Sequence, residues 1–250
     1  MKIVVLTSLP RPSLLPRDFL PYYLQRHGIP VAAVIARRIP WAQAVRAHVS
    51  SGGILQRLPQ VFRTPSPAPV ETHAPLTPRA ADTPRTPIPL HYVDDHNGPA
   101  CLDLLKSLAP DVVVLGGTGI IKPALLALPR IGTLGCHYAL LPEFRGFNVT
   151  EWAILEGRPV GVSILWVDAG VDTGDVLMDR RVVIRTGETI ATLRRRSAEL
   201  GKQLFVESLR RVMEGDQPRR PQRLVDGRQF YRMHPRLIRA AEQKLAALAG

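Results

Sequence analysis

Three short runs of branched apolar residues, with helical periodicity between the first two, constrain this chain more than any other feature. Lys2-Ile3-Val4-Val5-Leu6-Thr7 comes first, Val31-Ala32-Ala33-Val34-Ile35 second and Asp111-Val112-Val113-Val114-Leu115 third. Runs without polar alternation read as strands buried on both faces, the pattern of a parallel sheet. Between the first two, the stretch from Asp18 to His27 sets Phe19, Leu20, Tyr23 and Leu24 at helical spacing and closes at Gly28. Parallel neighbours need a crossover, so a strand–helix–strand start predicts an α/β layer architecture.

The same logic predicts helices over Ala100 to Leu108, Pro123 to Leu128 and Val149 to Glu156. Strands are expected at Gly132 to Cys136, Gly161 to Val167 and Val176 to Ile184. The apolar positions Leu193, Leu200, Leu204, Val206, Leu209 and Val212 make Ile190 to Met213 a helix covering the sheet, and Pro235 to Ala249 a short terminal helix. Residues 42–58 could form one more helix. Residues 59–89 hold nine prolines, which sustain neither a helix nor a central strand, so this segment reads as a surface insertion within the domain. The expected fold is α/β: a Rossmann-like open, mostly parallel sheet with flanking helices. The domain is read over residues 1–209, with a small helical extension over 210–250. No Gly-x-Gly-x-x-Gly follows the first strand, which argues against a dinucleotide site there.

With 250 residues the chain can bury a full core, and two cysteines, Cys101 and Cys136, are too few and too far apart for a disulfide framework. No apolar run is long enough to span a bilayer, and the N-terminus has no apolar signal core, so a reduced, cytoplasmic setting is expected. The net charge of +12 comes from 28 Arg and five Lys scattered singly or in short runs. Aromatics are 6% of residues, which gives no stacking platform for single strands and disfavours a nucleic-acid partner. An anionic small substrate suits the arginines better.

Chemistry concentrates in Leu134-Gly135-Cys136-His137-Tyr138-Ala139-Leu140-Leu141-Pro142-Glu143-Phe144-Arg145-Gly146 and in Asp168-Ala169-Gly170-Val171-Asp172-Thr173-Gly174-Asp175. The first sets a His at the C-terminal end of a buried strand, and the second is an acidic, Gly-rich loop after another strand. Ligands of open α/β sheets bind at the carboxyl ends of the strands, where a His and an Asp can act as proton-transfer group and orienting partner. The blander alternative stays open: a packed loop histidine and an ordinary tight turn.

From about Asp111 to Leu177 the sequence resembles the folate-dependent formyltransferases, the superfamily of methionyl-tRNA, glycinamide ribonucleotide and amino-sugar N-formyltransferases. The resemblance lies in Leu140-Leu141-Pro142, Arg145-Gly146, Trp152, Gly161-Val162-Ser163 and Asp168 to Gly174, in order and spacing. It implies transfer of a formyl group from N10-formyltetrahydrofolate to an amine, with a His and an Asn stabilising the oxyanion while an Asp tunes the His. By position the His is His137 and the Asp is Asp172. The pterin would lie against Gly119, Ile120, Ile121 and Leu141 and the loop carrying Asp168 and Gly170, although Ile120 and Ile121 taken alone read more readily as core. No metal is implied.

The family Asn, two residues before the His, is Gly135 here. Cys136 cannot replace it, because neighbouring strand residues face opposite sides. Asn148 is the nearest other amide and a candidate oxyanion donor; as N-cap of the following helix it has an equally good structural role. The missing donor keeps formyl hydrolysis, another acyl or C–N reaction, and non-catalytic folate-type binding as alternatives. The residues after Leu209 are too few and too helical for an OB-fold tRNA-binding barrel, so the expected acceptor is a small-molecule amine, an amino sugar or specialised metabolite. A homodimer is left open.

Overall fold

The computed structural model describes residues 1–9, 19–38 and 87–248, so the helix expected over 42–58 and the proline-rich segment up to residue 86 lie outside the described residues. In chain order the elements are β1 (Ile3–Leu9), α1 (Leu20–Arg26), β2 (Val31–Arg38), β3 (Leu90–Val93), α2 (Pro99–Leu108), β4 (Val112–Gly116), α3 (Pro123–Leu126), β5 (Gly132–His137) and β6 (Phe144–Gly146). They continue with α4 (Val149–Glu156), β7 (Gly161–Trp166), β8 (Val176–Arg181), α5 (Ile190–Met213), a single 3-10 turn, β9 (Arg228–Phe230) and α6 (Pro235–Leu248).

Seven strands form one sheet in the order β3-β2-β1-β4-β5-β7-β8. The first five pair in parallel, whereas β7 runs antiparallel to both β5 and β8. The expected open, mostly parallel α/β sheet is therefore what forms. A second sheet pairs β6 with β9 in parallel, tying the tail to the loop after β5. β3 was not foreseen. It is an edge strand that follows directly on Pro87 and Pro89, and three of its four residues are only half-buried, so no apolar run announces it.

Side chains alternate across the strands, and each face has its own cover. Ile3, Val5, Val112, Val114, Leu134, Ile164 and Trp166 pack on one side with α1 and α5. Val4, Leu6, Ala33, Ile35 and Val113 pack on the other with α2 and α3, through Cys101, Leu105 and Leu125. α5 starts with a reciprocal capping box between Thr189 and Thr192 and runs unbroken through Gly201. That glycine is a close-approach site: a Cβ there would stand 2.7 Å from Cys136 Sγ. Among the described residues no helix is long and apolar enough to cross a membrane.

The covering on the second face ends near β4. Beyond it, Gly135, His137, Leu165 and Val167 belong to the same face, and with neighbouring loops they line a cleft instead of a helix interface. That uncovered stretch of sheet is what positions the site.

Candidate active site

β4 and β5 stay paired as far as Val114 and Leu134. Past that point the two strands serve different loops, and a cleft of about 440 Å³ opens between them. His137 and Asp172 both line it, as do Gly119, Ile120, Ile121, Asp168 and Gly170. Leu141 and Asn148 do not. Leu141 is buried with Leu165 and Val176 in a small apolar cluster behind the cleft, its N–H donated to Ser163 Oγ at 3.2 Å. Ser163 in turn donates to Ala139 O at 2.8 Å, so this hydroxyl fixes the chain leaving β5.

Asn148 sits at the N-cap position of α4 but makes no side-chain cap bond, and its φ is +53°. Its Oδ1 accepts the Met233 N–H at 3.1 Å. Asn148 thus lies off the cleft lining with its amide oxygen held on the tail, and its side chain does not cap α4.

His137 is buried, and its Nε2 lies 2.7 Å from Phe144 O. A carbonyl only accepts, so Nε2 is the N–H and Nδ1 is the nitrogen free to gain or lose a proton. Nδ1 faces Asp172 Oδ2 at 3.4 Å. The same oxygen accepts the Gly146 N–H at 2.9 Å. Asp172 has φ +54°, a left-handed conformation that a short polar side chain tolerates better than most. Gln222 holds it there, donating from Nε2 to Asp172 O at 3.0 Å and to Gly174 O at 2.6 Å. Asp168 shapes the same loop from the other end, accepting Gly170 N–H at 3.0 Å and Thr173 Oγ1–H at 2.6 Å.

The opposite rim is set by Asn97. Its Nδ2 donates to Ile120 O at 2.9 Å and its Oδ1 accepts Lys122 N–H at 2.7 Å. This one amide takes the place of a strand neighbour, and Ile120, 76% exposed, lines the cleft beside it. Neither Asn97 nor Gln222 stood out in the sequence, since their only signal is a contact with distant backbone.

At Gly135 a Cβ would stand 2.9 Å from Val167 Cγ2 and 3.5 Å from Leu165 Cδ2. The position is therefore walled by an apolar side chain. Cys136 points to α5, as strand alternation requires, and burial pushes its thiol up to about 12; Cys101 is pushed up to about 11 for the same reason. The thiolate is the reactive form, so at pH 8 only about one thiol in a thousand or fewer is primed at either site. A thiol titration of the native protein should accordingly find no fast-reacting cysteine at pH 8, and both should react on denaturation. Rapid native labelling at Cys136 would contradict the burial.

Residues 87–209 match the family described as Formyl transferase. The methionyl-tRNA formyltransferase of Methylacidiphilum infernorum is 38% identical over 128 residues, which is 50% of this chain and 40% of that protein. Its counterpart in Anaeromyxobacter sp. is 43% identical over 113 residues, 44% of this chain and 36% of that one. The chain thus spans less than half the length of these relatives. Among solved structures, a phosphoribosylglycinamide formyltransferase from Streptococcus pneumoniae superposes with a TM-score of 0.56 at 23% identity, over 85% of this chain and 98% of that one. A 4-N formyltransferase from Francisella tularensis gives 0.60 at 12% identity, over 98% and 87%. A formyltransferase from Anoxybacillus kamchatkensis, in complex with UDP-4,6-dideoxy-4-formamido-L-AltNAc and tetrahydrofolate, gives 0.52 at 18% identity, over 92% and 86%. The solved structures share the fold, and residues 87–209 place that part of the chain in the formyltransferase superfamily.

Proposed function

We propose that the protein transfers a formyl group from N10-formyltetrahydrofolate to the amine of a small molecule. The observation that carries this reading is the His137–Asp172 pair, 3.4 Å apart, inside the cleft. A planar pterin fits what the cleft offers. Leu115, Ile120, Ile121, Leu165, Val167 and Val171 supply apolar walls, and the loops at 117–121 and 168–172 supply backbone edges. The donor, when bound, supplies an electrophilic formyl carbon.

The residues of the chain do the rest. An attacking amine sheds a proton as the bond between the formyl carbon and the donor nitrogen breaks, and Nδ1 of His137 is the atom placed to take that proton and hand it to the leaving nitrogen, because Nε2–H is held on Phe144 O. Asp172 Oδ2 stabilises the imidazolium that results, while Gly146 N–H keeps the carboxylate in place. The pairing of tetrahydrofolate with a formamido-sugar nucleotide in the Anoxybacillus structure supports a small acceptor.

The direct test is calorimetric titration with 5-formyltetrahydrofolate, followed by incubation with N10-formyltetrahydrofolate in the presence and absence of amines. Binding, with tetrahydrofolate released only when an amine is added, is the expected result. Release without amine would favour hydrolysis, the reading to which the apolar wall at Gly135 lends weight. No folate binding would sink both.

A further inference from the structure

The end of β9 and the residues just after it are held against the site by three anchors. Phe147 N–H donates to Phe230 O at 3.0 Å, Trp152 Nε1–H to Tyr231 O at 3.3 Å, and Met233 N–H to Asn148 Oδ1 at 3.1 Å. Phe230 and Met233 turn inward and are buried, and the Phe230 ring stacks on Phe144 at 5.1 Å. Arg232 lies between these anchors with its side chain outward. Its guanidinium stands over the Phe147 ring, 5.7 Å from the centroid. Phe147 is 56% exposed and lines the cleft.

Two features of Arg232 stand together. Arg228, four residues earlier, is neutralised by Glu156 at 2.5 Å. No carboxylate among the described residues pairs with Arg232, although one aromatic face orders it. A guanidinium laid on a ring keeps its N–H groups available to a third party, and its planar fork matches phosphate and carboxylate oxygens. The cleft's own charged lining is acidic, Asp168 and Asp172. An anion entering there finds its cation at the rim, on Phe147.

We propose that Arg232 is the specificity-determining residue for the acceptor, and that the amine substrate carries a phosphate or carboxylate group that this guanidinium grips beside Phe147. The proposal rests on the formyl-transfer reading and deepens it. The residues assigned to the folate come from the loops after β4 and β7. Phe147 and Arg232 come from the loop after β6 and from the tail, which leaves them for the second substrate. The glutamate of the folate offers the same carboxylate chemistry, so the test separates the two sources.

Inorganic pyrophosphate is titrated into the full chain saturated with 5-formyltetrahydrofolate, for wild type, Arg232→Ala, Arg232→Lys and Arg181→Ala, the last an exposed arginine on the edge strand β8. Pyrophosphate should bind wild type and Arg181→Ala equally. Arg232→Ala should weaken it about 10- to 100-fold, the worth of charged hydrogen bonds to an anion, and Arg232→Lys should weaken it less. Affinity for 5-formyltetrahydrofolate should stay within twofold in all four. Equal pyrophosphate binding by Arg232→Ala and wild type would overturn the proposal. So would a loss of 5-formyltetrahydrofolate affinity in Arg232→Ala that tetrahydropterin, which lacks the glutamate, does not show. Failure of wild type to bind 5-formyltetrahydrofolate at all is a separate readout and would overturn the formyl-transfer reading beneath it.

Discussion

Replacing His137 with Ala should lower kcat for tetrahydrofolate release by about 10²- to 10⁴-fold, the usual worth of a positioned general acid–base group. The folate should still bind, because its walls come from other residues. Asp172→Asn should lower kcat by about 10²-fold or more for a different reason. The amide oxygen can still accept the Gly146 N–H, so the loop should keep its shape. With that oxygen held on Gly146 N–H, the same atom still faces Nδ1 of His137 but is neutral, so the variant loses the charge that stabilises the imidazolium. The two changes act on one unit, so the double variant should be hardly worse than His137→Ala alone. Steady-state kinetics on the three variants, with 5-formyltetrahydrofolate affinity measured in parallel, decides this. A His137→Ala enzyme that kept a tenth of its activity would remove the imidazole from the mechanism.

How much of this was legible in the sequence differs from element to element. Ile3 to Leu6, Val31 to Ile35 and Val112 to Leu115 announced parallel strands because a strand buried on both faces has no polar alternation to hide it. β6 and β9 are three residues each, too short for any period, and they exist because the Phe144–Gly146 and Arg228–Phe230 backbones find each other across more than eighty residues. His137 and Asp172 were visible as residue types at strand ends. Their fixing partners were not, since Phe144 O, Gly146 N–H and the Gln222 amide act on or through backbone that carries no residue-specific mark. Asn148 was assigned to the cleft on proximity along the chain alone. Its left-handed backbone turns the amide toward Met233, a residue 85 positions on. Leu141 was attributed to the folate by resemblance, and burial behind Leu165 takes it off the cleft wall.

Restoring an amide at position 135 should succeed only together with a change at Val167. Gly135→Asn alone puts a Cβ 2.9 Å from Val167 Cγ2, and a β-branched side chain has little rotamer freedom with which to retreat. Overpacking of this kind costs about 1–3 kcal/mol, so the single variant should melt several degrees lower and gain no activity. Val167→Ala removes the clashing methyl, and in the Gly135→Asn/Val167→Ala variant most of the lost stability should return. Gly135 shares a sheet face with His137, so the new amide would then look into the cleft, where a donor aimed at a developing oxyanion is worth roughly 10²- to 10³-fold in kcat. Melting curves and kinetics on all four members of the cycle separate the two effects. A strong positive coupling in stability, with a rise in formyl transfer confined to the double variant, would show that Val167 occupies the place of the missing amide. If the double variant is as stable as wild type but loses its activity, the space beside Gly135 belongs to the substrate, and the reaction runs without a side-chain donor at that position.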